Sequence, residues 1–365
     1  MENHHFRAKA LLKKYLEGEC NEQEKALIEE WYLAIQDNNY LLKDEEIITD
    51  LSVLEQRLSN IPQRKSLHIK RIATVAAVIL IFLTIGILWN RIATNNINTD
   101  ITIINHDILP GGDRATLSLE GEEDISLSSL QKGLVTTDTS IIYPDGTTVR
   151  QIEDIKMATL STPVAGQYQI TLPDGTKAWL NALSSIRYPT SFRDKERRVS
   201  ITGEVYFEVA KDPKHPFILH TKDQEIEVLG TSFNVNTYKD NGQILTTLTE
   251  GSLRVTDNKF HNKVVLKPGQ QSIVTDSEVI VVKQVDTEEI SSWKDGLYII
   301  SNEPLLQYTK KIERWYDVKI DIQQQGNKHL SAIIPRDAKL SEVLQAITLK
   351  TGVKFKIEGR RVTAM

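Results

Sequence analysis

The side chains able to do chemistry are few in this chain and poorly spaced for it. Eight histidines are scattered over 365 residues. His4 and His5 stand side by side, but no cysteine or carboxylate lies at ligand spacing, so they read as a solvated terminus. Pro144-Asp145-Gly146 and Pro173-Asp174-Gly175 look at first like the opening of a calcium loop. The alternating acidic ligands such a loop needs do not follow, and a turn is the better reading. The acidic pairs Glu122–Glu123 and Glu288–Glu289 read as solvated faces. No spacing points to a Ser–His–Asp arrangement, a cysteine nucleophile or a glycine loop for phosphate. The sequence therefore predicts a sensor and binding protein with no enzyme activity, no cofactor and no metal.

The elements that carry these residues fall into unlike parts. Ile72–Trp89, IATVAAVILIFLTIGILW, holds no charge and no proline. Its length of about eighteen residues suffices to cross a bilayer's hydrocarbon core as one helix. Arg64, Lys65, Lys70 and Arg71 crowd its front edge, whereas Asp100, Asp107 and Asp113 follow behind Arg91. Short basic flanks stay in the cytoplasm. The expected topology is a single pass, with the N-terminus in the cytoplasm and the C-terminus across the membrane. A cleaved signal peptide would begin near residue 1 and end in small residues; a buried core helix would not need a basic collar.

Composition agrees. The net charge of −5 offers no basic surface, so no direct contact with nucleic acid is expected. The single cysteine, Cys20, precedes the span. The part beyond the span has none, so it cannot rely on disulfides and must bury its own core.

Residues 1–63 read as a small all-α cytoplasmic domain. Leu11, Leu12, Tyr15 and Leu16 share a face; Leu27, Trp31 and Ile35 recur every fourth residue; Ile47, Leu51, Leu54 and Leu58 make a third stripe. Trp31 suits either the core of this bundle or a partner's surface. Residues 90–107 are polar and read as a stalk. From 108 to 285 short alternating runs such as ATLSL, YQITL, RRVSITG, FNVNTY and KVVLK are separated by turn signals. This is an all-β region, solenoid- or sandwich-like. Residues 290–365 read as an α+β domain of two strand–helix–strand halves, with Pro304 opening one helix and Gly352 closing the other.

The β region carries further motifs. GQYQITLPDGTKAWLNALSSIRYPTSF, RRVSITGEVYFEVAKDPKHPF, EVLGTSFNVNTY, TTLTEGSLRV and LKPGQQ follow one another without large gaps between about Pro163 and Val282. The region resembles the FecR family of transmembrane anti-sigma regulators, in the version common in Bacteroidetes. Trp293-Lys294-Asp295-Gly296 through Arg314-Trp315-Tyr316-Asp317-Val318 is similar to the C-terminal domain that accompanies it, which is related to the short secretin and TonB signalling fold. LLKKYLEGECNEQEKALIEEWY resembles the family's cytoplasmic segment.

The resemblance implies a mechanism. The cytoplasmic helices would hold an extracytoplasmic-function sigma factor, with Leu16, Leu27 and Trp31 as candidate contacts. The periplasmic part would meet the signalling domain of a TonB-dependent outer-membrane transporter, and site proteases would then release the sigma factor. An edge strand of the end domain is a candidate pairing surface for that signalling domain. The resemblance also makes Gly230-Thr231 a candidate self-cleavage site, by attack of the Thr231 hydroxyl on the Gly230 carbonyl; the alternative is a turn into the next strand. Trp179, Phe192 and Phe207 are expected to pack the β body, and Pro173-Asp174-Gly175-Thr176 to be a turn. Two other readings compete: a membrane-tethered periplasmic glycan or envelope receptor without a sigma partner, and a membrane-anchored enzyme.

Overall fold

A computed structural model describes residues 103–104, as backbone, and 107–365 apart from 239, 241 and 278. The expected cytoplasmic helices, the expected span and most of the expected stalk, with Leu16, Leu27 and Trp31, lie outside the described residues. Among the described residues no helix is long and apolar enough to cross a membrane.

Alternation of apolar and polar residues sets the larger part of the structure. Strands such as Gly166–Thr171 and Gln224–Val228 bury every second side chain, as a sheet with one dry face requires. One sheet has eleven strands and runs from Val281–Gln284 through Gln270–Val274, Ile244–Glu250, Ser232–Asn236, Glu204–Glu208, Lys177–Leu180 and Gly166–Thr171 to the strands of residues 134–151. The other has nine and holds, among others, Met157–Ser161, Ser185–Pro189, Arg197–Thr202, Phe217–His220, Gln224–Val228 and Leu253–Asp257. From Gly166 onward the chain visits the two sheets in turn, most often as a hairpin. The visits leave one shared core, in which Leu160, Ile186, Leu219 and Ile226 of the second sheet meet Ile170, Phe207, Phe233 and Leu248 of the first. At its centre Phe207 stacks on Phe233 at 5.3 Å and leans on Phe217 at 5.9 Å.

The C-terminal module follows. Helix α1 (Thr287–Ser291) is capped by the Asp286 carboxylate, which accepts from the backbone N–H of Glu288 and of Glu289. Helix α2 (Leu305–Tyr316) buries Leu305, Tyr308, Ile312 and Trp315, one apolar stripe at helical spacing. Helix α3 (Leu340–Thr351) buries Leu340, Val343, Leu344 and Ile347 and ends at Gly352 in the left-handed region. Strands Leu297–Pro304 and His329–Pro335 pair antiparallel. The closing hairpin, Phe355–Glu358 with Arg361–Ala364, pairs in parallel with Lys319–Asp321 at one edge. At the other edge lies Ile103–Ile104, from the segment read as a stalk. All of this belongs to one compact unit, Ile97–Met365.

Candidate functional site

The outer face of the eleven-stranded sheet is where the two parts meet. Cross-strand register places Trp179 opposite Tyr206, and Tyr206 opposite Asn234. Glu204 sits two residues from Tyr206 on the same face, and Asn181 two residues from Trp179. The Glu204 carboxylate accepts from Asn181 Nδ2 at 2.8 Å and from Asn234 Nδ2 at 3.1 Å. Both asparagines are buried, and each turns its amide oxygen to the C-terminal module. Asn234 Oδ1 accepts from Trp293 Nε1 at 3.2 Å, and Asn181 Oδ1 accepts from Arg336 at 2.9 Å.

Arg336 is the centre of this joint. It is only 2% exposed. Its guanidinium also donates to the Trp293 carbonyl at 2.8 Å. It lies 3.8 Å from the Trp315 ring centroid and 5.0 Å from that of Tyr298. A buried cation without a carboxylate in direct contact is costly unless other groups replace its water; here three aromatic rings and two oxygens offset the loss, while Nε makes no hydrogen bond. Trp315 Nε1 returns a bond to the Arg336 carbonyl at 2.7 Å.

Neighbouring contacts continue the seam. Arg314 pairs with Asp240 and lies 3.9 Å over the Tyr238 ring. Burial pushes the Tyr238 hydroxyl well above its ordinary pKa, so it stays protonated and donates to the Ala182 carbonyl. The Arg314 carbonyl accepts from Ala165 N at 2.8 Å. Gly111 lies flat on Trp315: a Cβ there would come within 2.7 Å of the ring. Between these contacts a cavity of about 210 Å³ is lined by Glu204, Tyr238, Gln243, Glu303, Lys311 and Arg314, among others. Three of its cations pair with acids: Lys310 with Glu313 and Lys311 with Glu303, each at 2.9 Å, and Arg314 with Asp240.

Gly230 and Thr231 stand elsewhere, at the start of strand Ser232–Asn236, beside a bulge between Ser232 and Phe233. The Thr231 hydroxyl is buried and donates to the Ser252 carbonyl at 3.0 Å. Gly230 has φ +156°, and a Cβ there would sit 2.8 Å from Lys211 Cα. The 210–216 loop covers the pair: Val209 N donates to the Thr231 carbonyl and Asp212 N to the Leu229 carbonyl. That loop is held in turn by buried Arg197, which donates to the carbonyls of Ala210 and His215 and pairs with Asp174 at 2.7 Å.

One expectation changes and another is extended. Phe207 packs inside the β body and Phe192 against its core, but Trp179 faces outward, against the core of the C-terminal module. Lys294 covers it, 5.6 Å from the ring, and Tyr206 meets it edge-on. The Pro173–Thr176 turn is present, closed by Gly175 N to the Leu172 carbonyl, yet its Asp174 is also the partner of Arg197. Sequence reading missed the joint altogether. Its one local signal was an arginine placed after the apolar strand HLSAIIP, where a solvated charge is the ordinary inference.

A two-sheet β body locked to a small α+β module is the class of domain that the fold and the joint define. Residues 158–254 match the family described as FecR protein, and residues 297–364 match FecR, C-terminal. Two crystal structures, at 2.50 Å and 1.65 Å resolution, of a candidate anti-sigma factor from Parabacteroides distasonis ATCC 8503 are similar in fold. Each is 29% identical, with a TM-score of 0.52, and the match covers 57% of this chain and 98% of that one. No curated protein sequence matches the chain. Together the matches support the FecR family.

Proposed function

We propose that this protein is a transmembrane anti-sigma regulator. Residues 1–63 sequester an extracytoplasmic-function sigma factor, residues 72–89 cross the inner membrane once, and the body beyond is periplasmic. The observation that carries the reading is the ordered pair of family matches, 158–254 and 297–364, within one unit similar to a candidate anti-sigma factor. The hydropathy of Ile72–Trp89 and its basic collar supply the orientation. The signal comes from the signalling domain of a TonB-dependent outer-membrane transporter, and site proteases pass it inward. The Bacteroidetes type and the kinship of the end module to the short secretin and TonB signalling fold belong to the same proposal.

The test is co-purification of the full chain, in native membranes, with each extracytoplasmic-function sigma factor of the source genome. Retention of one sigma factor, weakened by Trp31→Ala, is the expected result. A well-folded membrane protein that retains none overturns it.

Gly230-Thr231 is the proposed self-cleavage site. Attack of the Thr231 hydroxyl oxygen on the Gly230 carbonyl carbon breaks the peptide C–N bond and leaves a protonated amine on Thr231. Water then hydrolyses the ester, giving a Gly230 carboxylate and a free Thr231 hydroxyl. The adjoining bulge and the missing Cβ of Gly230 suit such a bond. The purified protein should run as two fragments and Thr231→Ala as one; an intact unaltered chain under several conditions excludes the cleavage.

A further inference from the structure

The C-terminal module also holds the first of the described residues. Ile103–Ile104 runs parallel to Phe355–Glu358, with Ile103 opposite Ile357 and Ile104 opposite Glu358. Three residues later the Asp107 carboxylate accepts from the Ser341 hydroxyl at 2.6 Å and from Ser341 N at 3.2 Å. The Ile108 carbonyl accepts from Leu340 N at 3.0 Å, and Ile108 packs against the module's core. Leu340 and Ser341 open helix α3, so their N–H groups have no partner within the helix. Asp107 satisfies one of them and places its charge at the positive end of the helix dipole. Only after these contacts does the chain pass into the β body, and it returns at Gln284. Asp107, the last residue of the segment read as a stalk, is therefore held by a helix 234 residues away in sequence.

The grip is uneven. Ile103–Ile104 has two register pairs and a single neighbouring strand, whereas Lys319–Asp321 at the opposite edge has three pairs. An edge strand this short is the easiest part of the sheet to remove, and the row of backbone groups it leaves on Phe355–Glu358 is a template for another strand.

We propose that Ile103–Ile104 is a releasable clasp: a strand of a partner protein that takes the edge of Phe355–Glu358 displaces it and frees the stalk for proteolysis. This rests on the reading above, in which a span precedes the stalk and the module receives the signal. It goes beyond that reading in naming the element that moves. The last module in sequence then acts directly on the chain nearest the membrane, and the β body need not change shape.

The experiment uses the full chain in lipid nanodiscs, with no transporter and no sigma factor. In the unaltered protein one amide of the pair Ile103 and Ile104, the one turned toward Phe355–Glu358, should exchange slowly and in step with the amides of that strand, because alternate N–H groups of an edge strand face away from its neighbour. Ile103→Pro and Ile104→Pro, made in turn, remove whichever N–H enters the ladder, and Asp107→Ala removes the helix cap. Asp107→Ala and that one of the two prolines should each raise the rate of protease cutting within residues 90–106 by about tenfold or more, because cutting follows the open population. Residues 112–284 should remain resistant. A synthetic peptide with the sequence of residues 100–108, in excess, should raise cutting of the unaltered protein, and a scrambled peptide should not. Amides at 103 and 104 that both exchange freely in the unaltered protein overturn the clasp. So does stalk cutting that no substitution and no peptide changes. Because no readout involves a sigma factor, these outcomes leave the anti-sigma reading standing, and loss of sigma binding in the earlier test leaves the clasp standing.

Discussion

The interior of the β body and the joint that fastens the C-terminal module to it are both buried, yet they are built from opposite materials. Inside the body, aliphatic and phenylalanine side chains interlock between two sheets, and Phe207, Phe217 and Phe233 are wholly covered. At the joint the buried groups are Arg336, Asn181, Asn234 and three aromatic rings, with the Glu204 carboxylate behind them. Apolar burial is favourable in almost any arrangement that excludes water. A polar joint is satisfied in one arrangement only, since each displaced donor or acceptor is left without its partner. The core therefore supplies stability, and the joint supplies a defined orientation that can be lost as a unit. That division suits the proposal that the C-terminal module receives a signal.

Substitutions can break or sharpen this contrast. The largest effect should come from the core. Phe207→Ala removes a ring that touches both Phe217 and Phe233 and should destabilise the β body by about 3–5 kcal/mol. Urea unfolding of residues 97–365 should show a lower midpoint with the joint's residues melting alongside. A loss of unfolding free energy of less than about 1 kcal/mol would mean that the centre of the sandwich is not where its stability lies.

Arg336→Leu tests the other side. It keeps apolar volume but removes two charged hydrogen bonds and the stacking on Trp315, a loss of about 3 kcal/mol. The expected sign is a split in the calorimetric trace, with the C-terminal module melting early and the body near its original temperature. A single transition lowered as a whole would show that joint and core are one cooperative unit, and the contrast would fail.

Gly230→Ala should act on the body alone. The added Cβ meets Lys211 Cα at 2.8 Å, so the covering 210–216 loop must shift, at a cost of about 2 kcal/mol. Faster proteolysis of that loop, with the joint's tryptophan fluorescence unchanged, is the expected pattern. Movement of the tryptophan signal would mean that loop and joint are coupled through strand Ser232–Asn236, which carries Asn234 to Trp293.

How much of this was legible in the sequence follows from the range of each interaction. The strands with regular alternation, and the two helices with stripes at Leu305–Trp315 and Leu340–Ile347, are local patterns and could be read directly. The short strand Lys177–Leu180 was legible only through the family motif, and its Trp179 was assigned to the wrong face. The joint joins residues far apart: Trp293 reaches back 59 positions to Asn234, and Arg336 reaches 155 to Asn181. No periodicity encodes such pairs. The strand Ile103–Ile104 is two residues long, in a segment with Asn and Asp on either side, and too short for alternation to mark it; its strand partner is Phe355–Glu358, about 250 residues away.

The smallest effect concerns acid, and it separates body from joint by pH. Asp257 ends strand Leu253–Asp257 and is nearly covered. Burial pushes its pKa up, but the backbone N–H groups of Phe260, Asn262 and Lys259 outweigh that and hold it below the ordinary carboxylate value. The distances are 2.8, 3.0 and 2.8 Å. A depressed folded-state pKa means the unfolded chain takes up the proton first. The stabilisation is therefore present above the unfolded value of about 3.9 and is lost as pH falls through the lower folded value. Asp257→Asn keeps one acceptor oxygen and cannot titrate. It should be slightly less stable than the unaltered protein at neutral pH, and the difference should shrink below about pH 4. Urea midpoints for the body between pH 7 and pH 3 measure this. A difference that stays constant over that range would show that the loop is held by shape, with the carboxylate's charge contributing nothing.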